Sequence, residues 1–262
     1  MKHVYWTGIS LILLWGVCLT ACDDDKWPPI RLAHQEDTTL NLWYPYEKDT
    51  YLYSLEEGDG SYTAFSYAPD VVGARIVSGE IELTIRGLGY TEVVIRDNSG
   101  HSLSLDIHVD HYTQRMIVDR YQVYMGGDPE ETEREAIEAA ALATLPVEAG
   151  GGYRFVFTDK ESTRGKVYIY PVKFGEDAVE GDFVTRSLEE GEAGTEYGTY
   201  FYDLTIDGKK RTFVRTTWNF SDTRTSEVAP VVLLEDLTEE LITDYPEVGA
   251  VCTLQKMEVL SY

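Results

Sequence analysis

Two segments in the first half of the chain alternate strictly between apolar and polar residues. They are EIELTIR at 80–86 and LSLDIHVD at 103–110. Because successive side chains of a β-strand point to opposite faces, the second segment places Leu103, Leu105, Ile107 and Val109 on one buried face. Turn sequences lie between the two segments, at 87–89 (GLG) and 97–100 (DNSG). Short alternating strands at this spacing predict an antiparallel β-sandwich.

Beyond His111 the pattern changes to include a helix. Residues 116–124 are typical of a strand, and Gly126-Gly127 interrupts it. Asp128 is a candidate N-cap, Pro129 suits the first helical position, and Glu131 is an acid three residues after the cap. The predicted helix carries one narrow face of small and apolar residues, which are Ile137, Ala140, Ala141, Thr144 and Leu145.

The remaining segments predict more strands. Residues 153–158 and 166–172 are strand-like, and Asp207-Gly208 is a favoured two-residue turn between strands at 199–206 and 211–218. The Glu-, Asp- and Gly-rich residues 175–198 predict a mobile excursion.

The C-terminal part predicts a second helix and a closing strand. Apolar residues recur at helical spacing until Pro246, and 250–260 is typical of a strand. The apolar residues are Leu234, Leu237, Leu241 and Tyr245. The chain is therefore expected to be mainly β, with a sandwich at 37–111 and an α+β domain at 115–262. In that domain two helices would cover one face of a mostly antiparallel sheet.

Residues 1–21 have the layout of a secretory signal peptide. Met1, Lys2 and His3 form a basic start, 4–19 is apolar apart from a Thr, a Ser and two Gly, and Ala21 is the small residue before the cut. The alternative is an uncleaved membrane anchor, because the apolar run is near the lower limit of about 17 residues for a spanning helix. The small residues at the boundary and the lack of a basic flank beyond Lys2 disfavour that alternative.

The next residues resemble the start of a known class of lipoproteins. LTAC at 19–22 resembles the lipobox of bacterial lipoproteins, which implies a diacylglyceryl group on Cys22 and cleavage before it. CDDDKWPP at 22–29 is similar to the start of Bacteroidota-type surface lipoproteins, whose acidic residues act as an export signal. The resemblance implies a lipid-anchored protein of the outer membrane with an acidic tether at 22–36, exposed at the surface.

A second resemblance covers the predicted sandwich. GDGSYTAFSYAPDVV at 58–72 and GEIELTIRGLGYTEVVIRDNSGHSLSLDIHV at 79–109 resemble bacterial immunoglobulin-like modules. This resemblance implies an immunoglobulin-like β-sandwich at 37–111. The chain lacks the paired cysteines of antibody domains, and such motifs indicate a fold rather than a function.

The net charge disfavours some binding partners, and the cysteine content argues against an intrachain disulfide. The formal net charge is −24, and removal of the leader with Lys2 changes the balance to 21 − 46 = −25. Such a surface disfavours nucleic acid and anionic lipid. Of the three cysteines, Cys18 leaves with the leader and Cys22 carries lipid, so no intrachain disulfide is expected. Cys252 lies in a strand-like run and is interpreted as a buried, inert thiol.

Motifs for common enzyme chemistries are missing from the sequence. The histidines after the leader are His34, His101, His108 and His111, all before Tyr112, and no G-x-S-x-G, H-E-x-x-H, P-loop or dinucleotide motif occurs. Glycosidases remain open, because they need only two carboxylates at the right separation. The sequence therefore nominates no catalytic residue and no cofactor.

Two clusters could bind a metal ion but are interpreted as solvated surface. His108 and Asp110 would share the outward face of a strand while His111 points elsewhere, and metal coordination needs convergent atoms. The acidic residues Glu176, Asp177, Glu180 and Asp182 lack the alternating ligands of an EF-hand loop. No metal site is expected.

One aromatic cluster suggests ligand binding. Trp43, Tyr44 and Tyr46 lie close together, with Tyr51 and Tyr53 nearby, and flat rings stack on the apolar faces of sugars. The alternative is that alternate members of the cluster fill the sandwich core.

These observations favour a lipid-anchored envelope protein that is a non-enzymatic binding module for a glycan or a protein partner. The first alternative is a surface glycoside hydrolase that acts through carboxylates in the second domain. The second is a structural subunit of a surface assembly, which a long unpaired edge strand would support.

Overall fold

A computed structural model describes residues 27–44, 49–187, 200–217 and 230–260, and the protein is mainly β in these ranges. The described strands form two separate sets, each with its own buried apolar core. The predicted mainly β character is therefore confirmed.

The first eight strands form two four-stranded sheets. One sheet has the order β1-β3-β6-β5 and the other has the order β2-β8-β7-β4. Neighbouring strands are antiparallel except β2 and β8, which are parallel. The strands are β1 (Arg31–Leu32), β2 (Thr39–Tyr44), β3 (Thr50–Glu56), β4 (Thr63–Ser66), β5 (Val72–Val77), β6 (Glu80–Ile85), β7 (Gly89–Arg96) and β8 (Ser102–His111).

The alternating segments bury the residues that their period predicts, except that Leu103 is only partly buried. Leu105, Ile107 and Val109 of β8 are buried while the residues between them are exposed, and the inward residues of β6 are buried in the same way. Both sheets contribute to one apolar core. Ile30 and Leu32, from the stretch expected to be tether, are also buried in that core, so the folded region includes residues before 36.

The next eight strands form a closed barrel in which each strand is antiparallel to the next. The strands are β9 (Thr113–Gly126), β10 (Gly152–Phe157), β11 (Arg164–Tyr170), β12 (Val179–Ser187), β13 (Tyr200–Ile206), β14 (Lys209–Thr217), β15 (Val231–Asp236) and β16 (Ala250–Leu260). Helix α1 (Glu131–Ala143) connects β9 to β10, and helix α2 (Thr238–Leu241) lies between β15 and β16. Alternate residues of the strands fill the interior.

The barrel corrects the expectation of an open sheet with helices over one face. The sheet is mostly antiparallel as predicted and two helices are present, but β16 pairs with β9 from Ala250↔Gly126 to Leu260↔Arg115 and closes the sheet. Strand β9 is long enough to pair with β16 along its length and with β10 through its first half. A single strand has the same sequence pattern whether its sheet is open or closed, so alternation could not predict closure.

Two segments differ from their predictions. The described part of 175–198 includes β12, whereas 188–198 lie outside the described residues. The outer residues Glu180, Asp182 and Arg186 of β12 are charged and Gly181 lies close to the Thr205 carbonyl, so few apolar residues signal the strand. Leu234 belongs to β15 rather than to a helix, and α2 is only one turn long. The continuous apolar run VVLL is ambiguous between helix and strand.

Helix α1 also begins later than predicted. Its N-cap is Glu130, which has extended backbone and makes no side-chain capping bond, so Asp128 is not the cap. Pro129 therefore also lies before the first helical residue, Glu131, and not at the first helical position. The acids Glu131 and Glu133 still occupy the first turn. The hairpin at Asp207-Gly208 is confirmed, and both residues have positive φ, of 49° and 77°, as a tight two-residue turn requires.

Candidate ligand site in the barrel cavity

The end of the barrel next to the two helices is filled by packed side chains. At the end where β9 finishes and β16 begins, an apolar cluster joins α1 and α2 to the barrel wall. It contains Ile137, Ala141, Leu237, Leu241, Val248 and Val251. Arg211 donates hydrogen bonds to Glu235 and, at 2.6 Å, to the Thr144 carbonyl just beyond α1. This end is closed by packed side chains.

The opposite end contains a cavity of about 460 Å³, within the range of roughly 300–1,000 Å³ typical of ligand pockets. The cavity lies where β9 and β13 begin and where β14 finishes, beside the loop between β10 and β11. Its lining residues are Tyr112, Gln114, Phe157, Lys160, Glu161, Ser162, Thr185, Tyr200, Tyr202 and Arg215.

Aromatic rings form much of the lining. Phe157 and Tyr202 are each 3% exposed and are the deepest of these rings, whereas Tyr200 is 43% exposed at the rim. Tyr112 stacks on Phe157 with 5.3 Å between ring centroids. Phe155 of the core lies 4.7 Å from the Tyr202 ring. The rings are therefore fixed by the barrel core beneath them.

A chain of hydrogen bonds crosses this end of the barrel. The Tyr202 hydroxyl donates to Gln114 Oε1 at 2.8 Å, and Gln114 Nε2 donates to the Tyr112 hydroxyl at 3.2 Å. Burial raises the pKa of Tyr202 to about 12, and the positive charge of Arg215 acts against this rise. The Tyr202 hydroxyl therefore stays protonated at neutral pH and holds the Gln114 amide in one orientation.

Arg215 and Arg211 lie on the same face of β14 but in contrasting surroundings. Arg211 donates two hydrogen bonds to the Glu235 carboxylate, from Nε at 2.8 Å and from Nη2 at 2.6 Å. The Nε of Arg215 is also buried, yet among the described residues it has no hydrogen-bond partner. The cavity thus contains a buried cationic donor that the described part of the chain leaves unsatisfied.

The loop at the rim is held by one carboxylate. Asp159 accepts hydrogen bonds from the backbone N–H groups of Thr163 and Arg164 at 2.9 and 3.0 Å. It also accepts one from the Thr163 hydroxyl at 2.5 Å. Burial alone would raise the pKa of Asp159, but these hydrogen bonds outweigh it and lower the pKa. Lys160, Glu161 and Ser162 therefore project from a loop with a fixed backbone.

One acidic side chain is found among the described residues that line the cavity. It is Glu161, and Glu235, deeper in the barrel, is bound to Arg211. Glycoside hydrolysis by the common routes needs two carboxyl groups across the scissile bond. The described lining therefore supplies one carboxyl group of the two that such a reaction needs.

Two of the aromatic residues nominated from the sequence, Trp43 and Tyr44, lie in the sandwich. Trp43 and Tyr44 are half-buried on β2, and Tyr44 packs against the sandwich core together with Tyr51 and Tyr53. Tyr46 and the lipidation residue Cys22 lie outside the described residues. Tyr44, Tyr51 and Tyr53 therefore contribute to packing of the sandwich core.

The residues considered for metal binding do not converge. His108 and Asp110 are exposed on the outer face of β8, as predicted. Glu180 and Asp182 instead form ion pairs with Lys166 at 3.2 and 2.7 Å. In the described part of the chain, no group of three His, Cys, Asp or Glu side chains is arranged to hold a metal ion.

Cys252 lies on β16 and is half-buried rather than fully buried. Burial raises the pKa of its thiol, and the negative charge of Asp236 raises it further. The thiolate, which is the nucleophilic form, is therefore disfavoured at neutral pH.

The sequence interpretation did not nominate the residues that line the cavity. The sequence contained a signal for two of them. Gln114 shares a strand face with Met116 and Val118, and Arg215 shares a strand face with Phe213, because these residues are two positions apart. A polar residue at a core-facing strand position breaks the expected pattern and marks a special environment. Without knowledge of barrel closure, these two strands, which β15 and β16 separate in the barrel, could not be placed around one cavity.

Comparisons with other proteins give no family for this chain. Neither the models of protein families nor the curated protein sequences contain a match to it. Within the described ranges, neither helix has the length and apolar composition that crossing a bilayer requires.

Proposed function

We propose that this chain is a lipid-anchored, non-enzymatic binding protein of the outer membrane surface, and that the cavity in its barrel binds a sugar unit of a glycan. The observation that carries the binding role is the cavity of about 460 Å³, which combines aromatic rings with hydrogen-bonding groups. Rings offer flat apolar surfaces to the C–H faces of a sugar, while Gln114, Thr185 and Arg215 supply polar groups for its oxygens.

Anchoring is proposed from the sequence at the N-terminus. The lipobox-like LTAC at 19–22 would place lipid on Cys22, and two or more acyl chains anchor a protein stably to a membrane. Asp23, Asp24 and Asp25 would be repelled by anionic headgroups and would extend into water.

An immunoglobulin-like identity for the sandwich belongs to the same proposal. The parallel pairing of β2 with β8 and the two four-stranded sheets over one core support it, together with the resemblance at 58–109. Such a module would act as a spacer between the anchor and the barrel.

The geometry favours binding over the two alternatives. A carboxylate-dependent hydrolase is disfavoured because Glu161 is the only acid in the described lining. A subunit that assembles by strand addition is disfavoured because the described edge strands β1, β2, β4 and β5 have only two to six residues.

Glycan-array binding by the chain from Asp23 onward tests the proposal. We expect binding that Tyr200→Ala weakens about tenfold or more, because loss of a stacking ring removes about 0.5–1.5 kcal/mol plus its apolar contact. Trp43→Ala, in the sandwich, serves as the matched aromatic control and should leave binding unchanged. The opposite result would move the site to the sandwich cluster, and absence of glycan binding would exclude the proposed ligand class.

Mass spectrometry of the protein from its native cells tests the anchor separately. The expected N-terminal peptide begins at Cys22 and carries the mass of a diacylglyceryl group and an amide-linked acyl chain. An intact Met1 or an unmodified Cys22 thiol would contradict the proposed anchoring and leave the cavity unaffected.

A further inference from the structure

The described lining of the barrel cavity has a charge opposite to that of the whole protein. The chain has a net charge of −24, yet the described lining contains Arg215 and Lys160 against the single acid Glu161. Arg215 as a whole is partly exposed, but its Nε is buried. None of the described residues accepts a hydrogen bond from that Nε.

Arg211 is an arginine of the same barrel whose charge is paired within the protein, and it serves as the comparison for Arg215. It lies four residues before Arg215 on the same strand face, and Glu235 satisfies it through two parallel hydrogen bonds of 2.6 and 2.8 Å. Burying a charge without a partner is unfavourable, whereas a bidentate pair with a carboxylate is among the strongest polar contacts in proteins. The Arg215 position therefore has the donors of such a pair, and no described residue supplies an acceptor to its Nε.

Neighbouring groups are suited to the rest of a sugar acid. The Gln114 amide is oriented by the Tyr202 hydroxyl, and the Tyr200 ring is exposed at the rim. The Asp159-braced loop holds Lys160 beside the cavity, where a second positive charge adds to the attraction for an anion.

We infer that the sugar unit bound in this cavity carries a carboxylate, as in a uronic acid, and that Arg215 binds that carboxylate through its guanidinium. This inference rests on the proposed function, because it specifies the chemical class of the glycan. Arg215 is then the residue that selects acidic over neutral sugars, since a neutral sugar can accept its hydrogen bonds but provides no negative charge to pair with the guanidinium.

NMR titration of the chain from Asp23 onward with three probes tests the inference. The probes are methyl β-D-glucuronide, methyl β-D-glucoside and benzoate, the last being a carboxylate without a sugar. We expect the glucuronide to bind at least about tenfold more tightly than the glucoside, because a charge-assisted pair is worth more than neutral hydrogen bonds. Raising the NaCl concentration should reduce this difference.

Substitutions test whether Arg215 causes the preference for the glucuronide. Arg215→Gln should remove the preference for the glucuronide, and Arg215→Lys should keep part of it, because the charge remains but the bidentate geometry is lost. Arg186→Gln is the matched control, since Arg186 lies on the outer barrel face, where it contacts Phe201 and Asp203. It should keep the full preference, and near-ultraviolet circular dichroism of each variant reports whether the core is intact.

The outcomes separate the two proposals. Equal binding of both glycosides, unchanged by Arg215→Gln, overturns the carboxylate inference and leaves sugar binding standing. If neither glycoside binds, the sugar proposal and the inference that rests on it both fail, and benzoate then shows only whether Arg215 binds a carboxylate. The comparison of probes on the unmodified chain holds even if a variant fails to fold.

Discussion

Asp97 joins two loops of the sandwich through one buried carboxylate. It accepts hydrogen bonds from the backbone N–H groups of Asp59 and His101 at 3.1 and 2.8 Å. The Ser99 hydroxyl and His101 Nδ1 lie 2.9 and 3.1 Å from it. Burial would raise the pKa of Asp97, but these hydrogen bonds outweigh burial and hold the pKa well below its usual value. The ionised form is therefore the stabilising one.

The first prediction concerns the pH dependence of this stabilisation. A carboxyl group whose pKa is lower in the folded state stabilises above its unfolded pKa of about 3.9, and this contribution is lost as the pH falls through the folded pKa. Asp97→Asn should therefore lower the Tm at pH 7, and the deficit should shrink below pH 4. Thermal unfolding from pH 3 to pH 7 measures this. Asp110→Asn, on the exposed face of β8, is the control, and a deficit that does not vary with pH contradicts the prediction.

The second residue-scale prediction concerns the Arg211–Glu235 pair. Side-chain exposure is 19% for Arg211 and 7% for Glu235, so the pair is largely desolvated. Removing one partner of a buried pair leaves an uncompensated charge, which costs roughly 3–5 kcal/mol. Arg211→Met should destabilise the protein by about 3 kcal/mol in urea unfolding, whereas Arg211→Met with Glu235→Leu should recover most of that loss.

The same variant has a defined pH dependence. Burial raises the pKa of Glu235, and the hydrogen bonds from Arg211 oppose that rise. Without Arg211 the folded-state pKa rises further, and a group with a raised pKa favours folding below its unfolded pKa and loses that contribution as the pH increases. The deficit of Arg211→Met should therefore be smaller at pH 5 than at pH 8. A deficit below about 1 kcal/mol at both pH values would show that the pair is not needed.

At the scale of elements, helix α1 closes one end of the barrel through a single narrow face. Ile137 is fully buried and Ala141 packs beside it against Leu241 and Val251, while Glu138 is exposed. Ile137→Ala should cost about 2–5 kcal/mol, because the packed end cannot fully collapse around the void. Glu138→Ala, one residue along, should change the free energy of unfolding by under about 0.5 kcal/mol. Urea denaturation of both variants measures this difference, and equal effects would mean that α1 does not seal the barrel.

The sequence predicted elements well where local signals were complete. The apolar face of α1, the alternation in β8 and the Asp207-Gly208 turn depend on neighbouring residues, and all three are confirmed. Strand β12 was missed because its outer residues are charged. The contact between β9 and β16 joins residues more than a hundred positions apart, so local pattern could not reveal it. Gln114 and Arg215 were consequently not recognised as neighbours of one cavity.

At the scale of the whole molecule, two cores are built from consecutive parts of the chain. The sandwich core uses residues from Ile30 to Val109, and the main barrel core uses residues from Met116 to Met257. Only Tyr112 separates β8 from β9. A described pocket of the sandwich, about 400 Å³, lies against β4 and β7 beside the exposed Phe65, whereas the barrel cavity reaches down to buried rings. The barrel is therefore the part of the described chain better suited to enclose a ligand.

The excess of acidic residues affects the whole molecule in a way that salt can test. Even if each of the 22 basic residues offsets one acid, 46 − 22 = 24 acidic charges stay uncompensated. Their mutual repulsion destabilises the compact state, and the screening length falls from about 30 Å at 0.01 M salt to about 3 Å at 1 M. Salt also weakens the exposed ion pairs, but each of those contributes only about 0–1 kcal/mol.

Repulsion should therefore dominate, and the Tm should rise by about 3 °C or more between 10 mM and 500 mM NaCl at pH 7. Choline chloride at equal ionic strength should give the same rise, because screening does not depend on the identity of the cation. At pH 4, where many carboxylates are neutral, the rise should be smaller. A Tm that falls with salt would mean that the ion pairs outweigh the excess charge. A rise seen with one cation alone would point instead to specific cation binding among the carboxylates.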